Sequence, residues 1–144
     1  MDVTEAATTA DETAVVLAFL GHLEDGDMDA AFDLLADDAV YQNVPLPADR
    51  GKPAVERTLR RMMAAGSGFR VEYHNIAAEG PVVLTERTDV LSVGNGRFKL
   101  DAAFWVCGTF EVHGGRITLW RDRFDWVDFV LSWFRAIGKT VLGR

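Results

Sequence analysis

A chain of 144 residues, 49% hydrophobic and 26% charged, has the make-up of one globular domain rather than of a disordered or membrane-spanning protein. Its formal charge of −7 argues against nucleic acid or an anionic membrane surface as a partner, because both attract basic patches. The single cysteine, Cys107, excludes an internal disulfide and points to a reducing compartment, so a cytoplasmic location is expected.

The opening stretch, MDVTEAATTADE, is acidic and has no apolar core, unlike a secretory signal. Residues 1–8 are expected to form a flexible tail and residues 9–144 a single domain. A first helix is predicted from about Thr9, where Thr9 and Glu12 have capping-box spacing. Val15, Val16, Phe19, Leu20 and Leu23 then fall on one helical face. A second helix is expected after the cap Asp27, burying Met28, Ala31, Phe32 and Leu35. A short strand over 39–43 stops at Pro45 and Pro47, which cannot donate to a ladder. A third helix opens at Pro53, buries Val55, Leu59, Met62 and Met63, and closes at Gly66 and Gly68.

From Phe69 the pattern changes to period two. Strands are predicted over about 69–78, 82–93, 97–112 and 116–126. Gly80-Pro81, Gly94-Asn95-Gly96 and Gly114-Gly115 mark the hairpins between them. Residues 128–137 read as a short closing helix anchored by Phe129, Trp133 and Phe134. Helices followed by a meander imply an α+β fold. The expected architecture is a curved mixed, mostly antiparallel sheet that forms a cone, closed by three N-terminal helices around an apolar interior.

Alternation assigns the faces. Phe98, Leu100, Ala102, Phe104, Val106, Gly108 and Phe110 are expected inside, with Lys99, Asp101, Trp105 and Cys107 outside. Asp122 shares a face with Trp120 and Phe124 and so points into the cone, where a carboxylate is costly unless paired. Thr85, Arg87, Asp89 and Leu91 share a face on the preceding strand, with Leu84 and Val90 marking the alternative. The need of a buried Asp122 for a cation selects the face that carries Arg87. Tyr41 and Asn43 also share a face. One Asp beside one Arg is most often a structural ion pair. Two aspartates, an arginine, a tyrosine and an amide in one apolar cavity are more than structure requires.

His22, His74 and His113 are scattered without ligand spacing, so no metal is expected. The chain has no G-x-S-x-G and hence no nucleophile elbow. The outward Trp105 suggests a covered surface, and so a homodimer through the sheet.

Three segments carry a resemblance. Tyr41-Gln42-Asn43-Val44-Pro45-Leu46-Pro47, Glu86-Arg87-Thr88-Asp89-Val90 and Trp120-Arg121-Asp122-Arg123-Phe124-Asp125, in this order across roughly residues 12 to 128, resemble the limonene-1,2-epoxide hydrolase family. The resemblance implies the cone-like α+β barrel also used by ketosteroid isomerases and scytalone dehydratases, and a dimer. It implies a catalytic set of Tyr41, Asn43, Arg87, Asp89 and Asp122. In that reading Asp122 is general base on a water held by Tyr41 and Asn43. Asp89 is general acid toward the epoxide oxygen, and Arg87 bridges the two. The product is a vicinal diol, with no cofactor, metal or covalent intermediate. Arg123 replaces an aromatic of the family's best-known member, and the stretch after Asp128 differs from the family pattern.

The chemistry agrees with such a pair. Two carboxylates about 4 Å apart at an effective dielectric of about 20 repel by about 4 kcal/mol, so one proton is shared between them near neutral pH. The expected lining is Leu20, Leu23, Met62, Leu91, Phe104, Val106 and Phe124, which suits a lipophilic epoxide of terpene, fatty-acid or sterol type. Two rival readings stay open: an isomerase or dehydratase of the same fold, and a non-catalytic module that binds a lipophilic ligand.

Overall fold

Helix α1, Val3–Asp25, begins well before Thr9 in the computed structural model, which describes residues 3–143 and their side chains from residue 11 onward. Thr9 is therefore inside the helix and not its cap, and the stretch expected as a tail is helical from Val3. Residues 1 and 2 lie outside the described residues. Ala6, Ala7 and Ala10 favour a helix, and no Gly or Pro interrupts the turns before Glu12. The buried stripe of α1 is Val16, Phe19, Leu20 and Leu23, as its periodicity predicts.

Asp27 caps helix α2 (Met28–Asp33), its carboxylate accepting from the Ala30 amide at 3.1 Å. Leu35, assigned to this helix by sequence, instead opens strand β1 (Leu35–Asn43), which starts earlier than the expected 39. The pairing of Leu35 with Ile117 explains the change: its side chain joins the core from a strand. After the cis Val44–Pro45 bond, a two-residue strand β2 (Asp49–Arg50) pairs back on β1. Helix α3 (Lys52–Ala65) carries Pro53 in its first turn and buries Val55 and Leu59.

The meander follows as β3 (Gly68–Glu79), β4 (Val82–Val93), β5 (Leu100–His113) and β6 (Arg116–Arg123). The six-stranded sheet has the order β2-β1-β6-β5-β4-β3. Its pairs are antiparallel except β1 with β6, which run parallel. The fold is thus α+β with a curved mixed sheet that does not close on itself.

Phe98, expected inside, is 70% exposed and lies in a 3-10 turn (Gly96–Phe98) ahead of β5. Gly94 and Gly96 both take positive φ, and pairing resumes only at Val93 with Leu100. A side chain at position 94 would meet the Phe98 carbonyl at 2.5 Å, so this turn is tighter than an extended strand allows.

The last helix, α4 (Trp126–Leu142), is longer than the expected 128–137. Asp125 caps it, accepting from the amides of Val127 and Asp128 at 2.8 and 3.2 Å. It is the expected closing helix, extended at both ends, and it joins the three N-terminal helices. Helix α1 crosses β3, β4 and β5, α3 lies on β1 and β2, and α4 runs along β5. The core between α1 and the sheet is filled by Phe19, Leu20, Leu35, Val83, Phe110, Ile117 and Trp120. No helix among the described residues is long and apolar enough to cross a membrane.

Candidate active site

The alternation of β4 decides the site. Thr85, Arg87 and Asp89 are buried and Asp89 lines the cavity, so the inward face carries the charges; of the alternative face Leu84 is 50% exposed, although Val90 is buried too. On β6, Trp120 and Asp122 point the same way and are buried. The parallel pairing of β1 with β6 sets Tyr41 beside Trp120 and Asn43 beside Asp122. The fold therefore gathers Tyr41, Asn43, Arg87, Asp89 and Asp122 from three strands.

Arg87 is the hub and has no exposed surface. Its Nε donates to Asp89 Oδ1 at 2.7 Å, and its Nη2 to Asp89 Oδ2 at 3.1 Å. The same Nη2 donates to Asp122 Oδ2 at 2.7 Å. Nη1 turns the other way and donates to Thr85 Oγ1 at 2.8 Å. Asp122 Oδ1 accepts from Trp120 Nε1 at 2.8 Å. Asn43 Nδ2 donates to the Tyr41 hydroxyl at 2.8 Å, whose own proton points to Met62 Sδ, 3.8 Å away.

Burial dominates the electrostatics. It pushes the Asp122 carboxyl up to about 6, aided by Asp89 and opposed by Arg87 and by the Trp120 hydrogen bond. Burial likewise raises Asp89, against the pull of Arg87. For Arg87, burial opposes the charge, but Asp122 and Asp89 outweigh it and hold the guanidinium protonated. Burial, with the Asp122 charge adding to it, keeps the Tyr41 phenol protonated well above its ordinary range.

A cavity of about 170 Å³ opens onto this cluster. Tyr41, Asn43, Asp89 and Asp122 contribute its polar lining, and Arg87 lies behind them. Of the apolar residues expected there, Met62, Leu91, Phe104, Val106 and Phe124 line it. Leu20 does not: it is buried in the core, where Phe19 packs edge-on to Trp120 at 5.3 Å and closes α1 off from the cavity. Leu23 lines an adjoining groove instead. That groove, about 840 Å³, shares Met62, Met63, Phe69, Leu91 and Phe129 with the cavity and continues past Gly66, Ser67, Gly68 and Trp133.

Trp126 and Phe129 are lining residues that sequence reasoning missed. Trp126 Nε1 donates to the Val44 carbonyl at 3.0 Å and pins the start of α4 to the cis-proline loop. The Phe129 ring meets Phe104 edge-on at 4.9 Å. The signal was present in Asp125, a capping residue followed by aromatics at Trp126 and Phe129. Among the described residues, no three of His, Cys, Asp and Glu gather in a metal-holding group.

The model of the limonene-1,2-epoxide hydrolase catalytic domain matches residues 10–135. Epoxide hydrolase EphG of Mycobacterium tuberculosis is 46% identical over 127 residues, 88% of this chain and 82% of that protein. The structure of an M. tuberculosis LEH-like epoxide hydrolase superposes with a TM-score of 0.84 at 43% identity, covering 94% of this chain and 98% of that one. A protein of ketosteroid isomerase-like fold from Catenulispora acidiphila, solved with trimethylamine, gives a TM-score of 0.71 at 16% identity over 83% of this chain and 92% of its own, a likeness of fold alone. By sequence and by fold, the chain belongs to the limonene-1,2-epoxide hydrolase family and is an enzyme, a hydrolase.

Proposed function

We propose that the chain adds water to a lipophilic epoxide in one step to give a vicinal diol. The observation that carries this reading is the buried Asp89–Arg87–Asp122 bridge at the polar end of an apolar cavity. Asp122 takes a proton from water as its oxygen bonds to one epoxide carbon. The carbon–oxygen bond of the ring breaks, and Asp89 gives its proton to the departing oxygen. The net change in the site is one proton moved from Asp89 to Asp122, restored across the pair before the next turnover.

The hydrogen-bond inventory supports the water-holding roles. The Tyr41 hydroxyl already accepts from Asn43, so it is left to donate to a water. Asn43 Oδ1 and Asp122 can then accept both water protons, which leaves one lone pair of the water for carbon. The groove beside the cavity supports a substrate whose bulk extends beyond the reacting ring.

Arg87 bonded to both carboxylates disfavours the isomerase or dehydratase reading, because a cation weakens an aspartate as a carbon base. A non-catalytic binding module does not fit membership of a hydrolase family.

Turnover of small, terpenoid, fatty-acid and sterol epoxides in ¹⁸O-water tests the proposal, with labelled diol expected from the first turnover. Because Asp122 must be ionised and its carboxyl sits at about 6, kcat/KM is expected to fall about tenfold per pH unit below that value. The acid role also needs Asp89 to hold its proton, a form that its burial favours. No diol from any epoxide, with turnover of an unsaturated ketosteroid, would replace this reading with the isomerase one.

A homodimer is part of the proposal. Trp105 is 52% exposed on the outer sheet face, though its ring already stacks on His74. The outer face of α4 exposes Val127, Val130, Leu131, Phe134, Ile137 and Val141, a run of large apolar side chains of the kind that marks an interface. Light scattering at micromolar concentration is expected to give a dimer, and a monomer refutes it. Trp105→Glu and Phe134→Asp tell which face is used. The exposed free thiol of Cys107 supports the cytoplasmic placement.

A further inference from the structure

We propose that Gly108 and Thr85 form a socket that fixes the plane of the Arg87 guanidinium, and with it the spacing of Asp89 and Asp122. Both are positioning residues for the reaction. The inference rests on the reading of the aspartates as acid and base.

The pairing of three strands sets up the socket. Gly108 on β5 has Thr85 of β4 as partner on one side and Asp122 of β6 on the other. The guanidinium of Arg87 lies over this gap. A Cβ built at Gly108 would stand 2.2 Å from Arg87 Nη1, 2.8 Å from Asp122 Oδ1 and 2.8 Å from Thr85 Oγ1. Real Cβ contacts essentially never fall under 3.0 Å, so the charged cluster itself would have to move. Gly108 is not among the glycines with positive φ, so its backbone suits any residue and only the space demands glycine. It stands in mid-strand between the bulky Val106 and Phe110, where glycine is otherwise unfavourable.

Thr85 completes the socket. It is buried, accepts from Nη1 at 2.8 Å and donates to the Gly108 carbonyl at 3.5 Å. Nε and Nη2 serve the two aspartates, so Nη1 is the arm that sets the remaining rotation. The guanidinium is planar and rigid. Moving Nη1 off Thr85 therefore swings Nη2 away from Asp122. Neither Gly108 nor Thr85 lines the cavity, so substrate binding does not depend on them directly.

The titratable or charged groups acting on Asp122 are Arg87 and Asp89 from β4 and Tyr41 from β1. Helices α3 and α4 line the cavity with Leu59, Met62, Met63, Trp126 and Phe129, none of them titratable. A displaced guanidinium leaves burial and Asp89, both of which favour the protonated form of Asp122, opposed by the Trp120 hydrogen bond without the help of Arg87. The acidic limb of the kcat profile then moves to higher pH.

The test compares Gly108→Ala, Thr85→Val and Thr85→Ser with wild type across pH. Gly108→Ala is expected to lower kcat about 100-fold, the cost of a misplacement near 1 Å. Thr85→Val is expected to lower it about tenfold, with KM within about threefold of wild type for both. Both variants move the acidic limb upward, and Thr85→Ser, which restores the hydroxyl, returns kcat and limb to wild type. An acidic limb that stays in place in Thr85→Val, or a kcat loss as large in Thr85→Ser as in Thr85→Val, overturns the proposal. The Thr85 pair decides alone if Gly108→Ala does not fold. A wild-type profile without an acidic limb overturns the acid–base reading and the socket with it, whereas a wild-type limb that no variant moves overturns the socket only.

Discussion

Asp122→Asn is expected to lose about three orders of magnitude in kcat while keeping the native fold. The amide fills the space of the carboxylate but cannot take a proton from water, and a general base of this kind contributes about 10²- to 10⁴-fold. Asp89→Asn is expected to fall by a similar factor, because the departing oxygen then has no acid. The fold survives because Arg87 keeps a carboxylate in either case: Asp89 holds it through Nε and Nη2, and Asp122 through Nη2. Both carboxyls also sit above their ordinary range, so their ionised forms oppose folding at neutral pH. Removing one such charge is expected to leave Tm at pH 8 equal to or above that of wild type. Diol formation and thermal melts, run side by side, separate the outcomes. Wild-type turnover in both variants would end the proposed mechanism, and unfolded variants would show that the pair is structural.

Much of this site could be read from one periodicity. Alternation on β4 and β6 put Arg87, Asp89 and Asp122 on inward faces, and the cost of burying Asp122 without a cation chose between the two faces of β4. The same rule failed at Phe98, because period two tells faces apart but not where pairing begins; the Gly94 and Gly96 turn decides that. Helical periodicity buried Leu20 correctly but did not tell that it would miss the cavity. A helix stripe says which residues are buried, not whether a cavity or another side chain lies opposite, and here Phe19 and Trp120 fill the space. The wall made by Trp126 and Phe129 depends on the path of α4 along β5, set by long-range packing and by the bond to Val44. Gly108 read as one more inward position. Its meaning appears only when the side chains of the two flanking strands are in place.

Replacing the bridge itself has the largest expected effect on stability. Arg87→Met keeps the apolar bulk of the side chain but leaves Asp89 and Asp122 buried without their cation. Breaking a buried pair in this way costs about 3–5 kcal/mol. The loss depends on pH with a definite sign. Without Arg87, burial and mutual repulsion are the main influences left on the two carboxyls, and both raise them further above an unfolded value near about 4. A group raised on folding lends stability that is present below its unfolded value and is lost as pH rises through the folded one. The deficit of Arg87→Met against wild type, read by urea denaturation, is therefore expected to be greatest at pH 8 and to shrink as pH falls toward about 6, where Asp122 titrates with Arg87 in place. Arg87→Lys restores a charge but not the planar fork that holds both carboxylates. It is expected to regain part of the stability and little of the turnover. That split separates the electrostatic demand of the fold from the geometric demand of the chemistry. A Met variant as stable as wild type at pH 8 would mean that no buried carboxylate there depends on Arg87, and a general base at position 122 would lose its foundation.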